Sequence, residues 1–468
     1  MAQISFYGGV ETVTGSKYLL ESNGKKVLID CGLFQGEKEL RKRNWQPLPF
    51  EPSELNAVIL THAHIDHSGF LPRLVKLGYS GKVFTSKATA DLLKILLPDS
   101  ARLQEEEADY RNRHGLTSHH PALPLYDESD AKRSLKLLVG VPNNGEMVDI
   151  CEYFRASFSV AGHILGASSV LVEMENARTA NQSSIKFLFS GDLGHYDQPI
   201  VKNPAPPPSC DYLMVESTYG DRLHSSVSPK DQMARIISEA AKRNAPILIP
   251  AFAVGRTQEV LYLIRELEDE KRIPSLPVIV DSPMALQAIQ VYNRWTEEHD
   301  EEYASILARK IHPLKTDRMR FASTREESKR INDMKGARII ISSSGMLTGG
   351  RVLHHAMRIL PDENATIVFV GYQASGTRGR RIVEGAREIK IMKQVVPVRC
   401  HVEVVEGFSA HADWKEVLRW LEGLPSPPKK VFTTHGEPEA SLAMAERIKE
   451  RFAWEVIIPQ YGQTIQLE

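Results

Sequence analysis

The segment Thr61-His62-Ala63-His64-Ile65-Asp66-His67 places three histidines and one aspartate within six positions. Imidazole nitrogens and carboxylate oxygens are good ligands for zinc or iron. In extended or tightly turned backbone His62 and His64 point the same way, because side chains alternate. Asp66 and His67 then face a neighbouring position, so the four donors suit two adjacent cations better than one. The apolar run Ala57 to Leu60 feeds straight into the cluster, which separates it from a merely polar, His-rich surface loop. The chemistry implied is metal-assisted hydrolysis.

Two cations need more ligands. Gly162-His163-Ile164-Leu165-Gly166 sets a histidine between glycines, where backbone approaches closely. Ser190-Gly191-Asp192-Leu193-Gly194 follows the apolar run Ile185 to Phe189, and its carboxylate is able to bridge two cations. Alone, His163 reads as structural and Asp192 as a turn residue. Together with the cluster they become ligand candidates.

The elements that position these residues read as an α/β protein, with short β-branched runs alternating with helical stretches. Strands are expected at Lys26 to Asp30, Ala57 to Leu60, Ile185 to Phe189, Tyr212 to Val215, Pro246 to Ile249, Pro277 to Val280, Arg338 to Ile341, Thr366 to Val370 and Lys430 to Thr433. Asn23-Gly24 between apolar runs predicts a hairpin. Helices are clearest at Thr257 to Glu268, Met284 to Trp295 and Glu437 to Arg451. Asp30, His62, Asp192, Glu216, Ser342 to Ser344 and His435 all come directly after strands, where α/β sheets bind ligands. The pattern points to one site assembled from distant parts of the chain. The proline-rich stretches 203–209 and 425–428 read as rigid surface segments, and 102–130 as polar helix and loop.

Composition narrows the class. The 468 residues suit two domains, and 42% hydrophobic with 25% charged residues is the balance of a soluble globular protein. A net charge of −1 excludes a protein coated in basic charge, so any nucleic acid would be held in a local cleft. Cys31, Cys151, Cys210 and Cys400 are far apart, which argues against disulfides and thiolate zinc and fits a reducing cytoplasm. The N-terminal segment is no signal peptide, and no apolar run is long enough to span a bilayer.

In their order HAHIDH, GHILGA and SGDLG, the motifs resemble those of the metallo-β-lactamase superfamily. Val215-Glu216-Ser217-Thr218-Tyr219-Gly220, Phe408-Ser409-Ala410-His411-Ala412-Asp413 and Thr434-His435-Gly436-Glu437 look like the extra motifs of its β-CASP branch. Stretches similar to that branch also run from Pro250 to Glu259, from Ser344 to Arg351, and through Gly371-Tyr372-Gln373 and Gly376-Thr377-Arg378. Closest in spirit are compact bacterial and archaeal RNA-processing nucleases and the endonuclease subunit of pre-mRNA 3′-end processing. The resemblance implies an αββα sandwich with an inserted α/β domain, divided as 1–215, 216–404 and 405–468. It assigns Asp30 a supporting hydrogen bond. It gives His62, His64 and His163 one zinc, and Asp66, His67 and His435 a second, with Asp192 bridging. Manganese is the alternative metal.

The expected reaction is hydrolysis of RNA phosphodiester bonds by a two-metal hydroxide mechanism, internal cleavage ahead of 5′–3′ trimming. Asp66 and Asp192 serve catalysis through the metals. His411, held protonated by Glu216, is the candidate general acid. The other reading of His411 is a helix cap. Arg256, Arg351 and Arg378, with backbone near Ser344 and Gly345, are candidates for holding single-stranded RNA. His119-His120 and His354-His355 read as surface or packing residues. In the family a His at the third motif accompanies RNA substrates, and His435 stands there. Processive binding and tail-mediated dimerisation are not expected, because neither an N-terminal RNA-binding module nor a long C-terminal extension is seen; a homodimer is not derivable. Three rivals stand: a DNA nuclease, a small-molecule thioester or lactone hydrolase, and a non-enzymatic scaffold.

Overall fold

The structure, a computed structural model, describes residues 2–468 apart from 117–120, 176–183, 372 and 375. His119, His120 and Tyr372 therefore lie outside the described residues. The first half of the chain carries β1 (Ala2–Gly8), β2 (Lys17–Ser22), β3 (Lys25–Ile29), β4 (Ala57–Ile59), β5 (Lys82–Ser86) and β6 (Leu138–Val141). Next come β7 (Asn144–Cys151), β8 (Phe154–Val160), β9 (Ser168–Glu175), β10 (Ser184–Phe189) and β11 (Tyr212–Glu216). The middle holds β12 (Pro246–Pro250), β13 (Val278–Asp281), β14 (Met319–Phe321), β15 (Arg338–Ser342), β16 (Thr366–Phe369), β17 (Glu388–Ile391), β18 (Gln394–Pro397) and β19 (His401–Val404). The chain closes with β20 (Lys430–Thr434), β21 (Val456–Ile457) and β22 (Thr464–Leu467).

Met1–Leu223 with His411–Glu468 form one compact unit, and His224–Ala410 a second. The borders fall later than 215/216 and 404/405. Glu216 is the last residue of β11, and Val405 N–H donates to the Phe369 carbonyl of β16, at 2.9 Å.

The first unit is a sandwich of two seven-stranded sheets, β22-β1-β2-β3-β4-β5-β6 and β21-β20-β11-β10-β9-β8-β7. Strand alternation decides which residue faces which layer. Phe187, Phe189, Tyr212, Met214 and Phe432 enter the core between the sheets, with Phe6, Tyr18 and Ile29 of the opposite sheet. Leu188, Leu213, Val215 and Val431 point the other way, under Val417, Trp420, Met444 and Ile448 of the helices Trp414–Leu421 and Pro438–Phe452. The helix Lys87–Arg113 packs on β5 and β6 and completes the αββα layering. Asn23 and Gly24 turn the β2–β3 hairpin at positive φ of 50° and 76°. All four cysteines are free thiols.

The second unit is built on a six-stranded sheet, β14-β13-β15-β12-β16-β19, whose pairs are all parallel, with a β17–β18 hairpin beside it. Near-continuous apolar strands such as Arg338–Ser342 (RIIIS) suit a sheet covered on both faces. Among the described residues no helix is long and apolar enough to cross a membrane.

Candidate metal centre

The reactive residues of the first unit stand where strands stop. β3 ends into Asp30, β4 into Thr61 and His62, β10 into Asp192 and β20 into His435, while Glu216 closes β11. Asp30 and His435 adopt left-handed backbone, φ 57° and 52°, which non-glycine residues seldom do and which marks a constrained site. His163 lies in the turn between β8 and β9, after Gly162 at φ 74°.

A shell of hydrogen bonds fixes which nitrogen faces inward on the rings of His62, His67 and His435. Asp30 accepts from Thr61 N–H at 2.8 Å and from the Thr61 hydroxyl at 3.0 Å. It also accepts from His67 Nδ1 at 2.7 Å. The Thr61 hydroxyl proton is thus spent on Asp30, so Thr61 Oγ1 accepts from His62 Nδ1 at 3.1 Å. Thr218 does the same for His435: its hydroxyl donates to the His435 carbonyl at 3.0 Å and meets Nδ1 at 3.1 Å. Each Nδ1–H has a partner, leaving the Nε2 lone pairs of His62, His67 and His435 directed at the centre.

There the donors converge in two groups that share one carboxylate. His62 Nε2 and His163 Nε2 lie 3.2 and 3.1 Å from His64 Nδ1, and 3.5 and 3.6 Å from Asp192 Oδ2. On the other side His67 Nε2 and His435 Nε2 are 3.0 Å apart, with His67 Nε2 3.3 Å from Asp192 Oδ1. Asp66 Oδ2 lies 3.5 Å from His435 Nε2. Asp192 Oδ1 is buried without a hydrogen-bond partner. Two ring nitrogens 3.0 Å apart beside a buried carboxylate oxygen without a hydrogen-bond partner call for a shared proton or a cation between them, so the donor set fits a metal centre.

Burial and the neighbouring charges set the two donor groups apart. Burial drives the His62 pKa well below the usual imidazole value and that of His64 down to about 4, keeping both rings neutral as ligands must be. Burial would raise the carboxyls, yet the surrounding imidazoles outweigh it; Asp66 falls to about 2, and Asp192 is held well below the usual carboxylate value. His67 is buried too, but Asp192 and Asp30 more than offset that and raise it.

Beside the donors, Glu216 accepts from His411 Nδ1 at 3.0 Å and from Leu193 N–H at 2.6 Å. Burial opposes charge on His411, but Glu216 and Asp192 prevail and lift its pKa to about 9. Its side chain keeps 21% exposure and lies 3.9 Å from Asp192 Oδ2, so it reaches both the centre and solvent. The helix cap of the following segment is Asp413, not His411.

A buttress that sequence reading missed lies under the centre. Ser16 N–H donates to the Asp66 carbonyl at 2.9 Å, Leu33 N–H to Ile65 at 2.9 Å and Cys31 N–H to His67 at 2.7 Å. Gly32 lies so close that a Cβ would collide with the Asp66 carbonyl. The buried Lys17 ammonium donates to the Gly32 carbonyl and sits 4.8 and 4.6 Å from the rings of Phe34 and Phe70. Burial pulls its pKa down to about 8. A lone lysine opening the apolar run KYLL was the available signal.

Comparison with known proteins completes the identification. Residues 12–82 match the metallo-β-lactamase superfamily, 257–382 the Beta-Casp domain and 395–459 the Zn-dependent metallo-hydrolase RNA specificity domain. The chain is 34% identical over 460 residues to a ribonuclease of Thermus thermophilus, covering 98% of each. The chain belongs to the β-CASP branch of the metallo-β-lactamase superfamily. It is also 28% identical over 477 residues to the transcription termination factor FttA of Methanocaldococcus jannaschii, covering 100% of this chain and 72% of that one. A crystal structure of a protein of unknown function from Enterococcus faecalis shares the fold, with a TM-score of 0.53 and 13% identity over the full length of both chains.

In this β-CASP chain the arginines expected to hold substrate are engaged within their own unit. Arg351 donates to Asp281 at 2.7 Å and to the Ala322 and Ser323 carbonyls. Arg378 donates to the Lys390 carbonyl at 2.9 Å and the Leu347 carbonyl at 3.0 Å. Arg256 pairs with Glu259 and lies 5.3 Å from the Phe408 ring. Ser344 Oγ accepts from Thr348 and Gly349 N–H at 3.0 and 3.3 Å, and the Gly345 carbonyl accepts from Gln373 at 3.2 Å. Of the other histidine pair, His355 is buried and donates to Asp281 at 2.6 Å, a packing role.

Proposed function

We propose that this β-CASP chain is a zinc-dependent ribonuclease that hydrolyses single-stranded RNA in the cytoplasm, cutting internally ahead of trimming from the 5′ end. The observation that carries this reading is Asp192. One oxygen faces the His62, His64 and His163 group, the other faces His67 and His435, and the Glu216–His411 pair stands alongside. Support for RNA comes from the matched RNA specificity domain and from the relatives' names. In this reading Met1–Leu223 with His411–Glu468 form the metal domain and His224–Ala410 the inserted one.

His62, His64 and His163 would hold one zinc and Asp66, His67 and His435 another, with Asp192 common to both; manganese is the alternative. Bound there, such cations supply an activated water and offset charge on the phosphate. The chain's own part is orientation and proton transfer. Asp30, Thr61 and Thr218 hold the rings in one tautomer. Glu216 keeps His411 Nδ1–H engaged, so Nε2–H is the proton that passes to the departing 3′ oxygen as the P–O3′ bond breaks. Water adds to phosphorus, leaving a 5′-phosphate and a 3′-hydroxyl. Arg378 acts by holding the loop that follows Ser344 and Gly345 through the Leu347 carbonyl, and Arg256 and Arg351 act through their pairs with Glu259 and Asp281.

The test is a product map on end-labelled RNA beside a matched DNA strand, with metal analysis of the same sample. RNA cleavage with two zinc ions per chain is expected. Asp192→Asn should abolish it and His411→Ala should slow it by about 10²-fold or more. If both variants cut RNA at the parent rate, the mechanism is wrong; cleavage of a small thioester with no action on RNA would move the chain to a different class.

A further inference from the structure

The helix Lys38–Arg43 buries none of its side chains. Helices in globular proteins are held mostly by a buried apolar face, so packing does not explain this one. The stretch 37–45, EKELRKRNW, carries four basic residues against two acidic in a chain of net charge −1. It is nevertheless firmly closed. The buried Asn44 side chain accepts from Phe34 N–H at 3.0 Å and donates to the Phe34 carbonyl at 2.8 Å. The Arg43 guanidinium lies 5.5 Å from the Phe34 ring and 4.4 Å from that of Tyr461. Trp45 follows, 54% exposed, with the Arg73 guanidinium 5.9 Å from its ring. Tyr461 is 39% exposed. The patch also connects inward, because Phe34 meets Lys17, and Lys17 holds the Gly32 carbonyl beneath Asp66.

We propose that Lys38–Arg43 with Trp45 and Tyr461 forms a docking surface for single-stranded RNA on the unit that carries the metal centre. The inference rests on the ribonuclease reading and adds a footing beyond the scissile bond. Lys38, Arg41 and Lys42 take phosphates, while Trp45 and Tyr461, each with an arginine at its ring, take bases. An exposed ring stacks only on an unstacked base, which selects single strands over duplex. Exposed lysines beside the aromatics favour RNA over a protein partner, whose interfaces are poor in lysine.

The test measures binding of a fluorescein-labelled uridine 20-mer to zinc-loaded protein in the slow His411→Ala background. Trp45→Ala should weaken binding about fivefold or more, the range for loss of one stacked base, and Trp45→Phe should keep most of it. Arg41→Glu with Lys42→Glu should weaken binding and flatten the salt dependence by about one phosphate's worth or more. The double reversal removes no buried side chain and only the exposed Lys42–Glu39 pair, so it decides the matter if Trp45→Ala does not fold. Parent-like affinity and salt slope in these variants would overturn the proposal. So would dissociation of an oligomer by Trp45→Ala with RNA affinity unchanged, which would mark a protein interface. A wild type that neither cuts nor binds RNA would instead sink the ribonuclease reading.

Discussion

Lys17 carries a positive charge into a site that already gathers imidazoles, and burial lowers its pKa from 10.5 to about 8. Between those values the unfolded chain binds more protons than the folded one, so stability rises with pH. The contribution is complete above 10.5 and is lost as pH falls through about 8. Relative to Lys17→Met, which does not titrate, the wild type should therefore gain up to about 3 kcal/mol between pH 7 and 10.5. Urea unfolding of both proteins across that range checks it; a constant difference would mean the ammonium is as well solvated as a surface lysine. Residues of this kind were not legible. His62, His64, Asp66 and His67 could be read because adjacency along the chain already brings their donors together. His163, Asp192 and His435 could be read only jointly. Lys17 serves the centre through a backbone carbonyl, and no side-chain pattern encodes that.

At the level of elements, the helix Trp414–Leu421 fixes His411 by its own start. Asp413 caps it, accepting from Lys415 and Glu416 N–H, and Glu416 returns the bond to Asp413 N–H at 3.1 Å. Glu416 also accepts from Tyr196 N–H at 2.9 Å and His195 Nδ1 at 2.7 Å, while Ala412 N–H donates to the Leu193 carbonyl at 2.8 Å. The helix start is thus tied to the turn that follows Asp192. Glu416→Ala should cost about 1–2 kcal/mol, measured by urea unfolding. Burial opposes charge on His195 and Glu416 outweighs it, so its pKa is raised. That share of the stability is present below about 6.5 and fades above the folded pKa, so the deficit should narrow as pH rises. A deficit that widens would reverse the assignment. Strands and helices were legible to within a residue or so, as Thr257 to Glu268 against Arg256–Asp269 shows. The 27-residue helix Lys87–Arg113 was not, because Pro98 lies inside it and its outer half has few apolar residues to set a period.

For the whole molecule, metal binding and folding are one equilibrium. The His67 and His435 Nε2 atoms face each other at 3.0 Å, and Asp192 Oδ1 is buried without a hydrogen-bond partner. Chelation should lower the melting temperature and zinc should restore it, by about 3–4 kcal/mol when free zinc is 100 to 1,000 times its dissociation constant. An unchanged melting curve after stoichiometric metal removal would count against the centre. The αββα architecture could be read from strand-end chemistry and family motifs. The unit borders could not, since they depend on which sheet Glu216 and Val405 join.

The sandwich is closed by its two ends: β1 pairs with β22, and β20 lies between β11 and β21. His411 and His435 belong to that last stretch. A ribosome therefore releases the proton donor and the final metal ligand only after the ligands from His62 to Asp192 and the whole second unit have been made. On the proposed function, a nascent chain that has not yet passed His435 lacks the means to cut the message it is tethered to, and synthesis order itself serves as a safety catch.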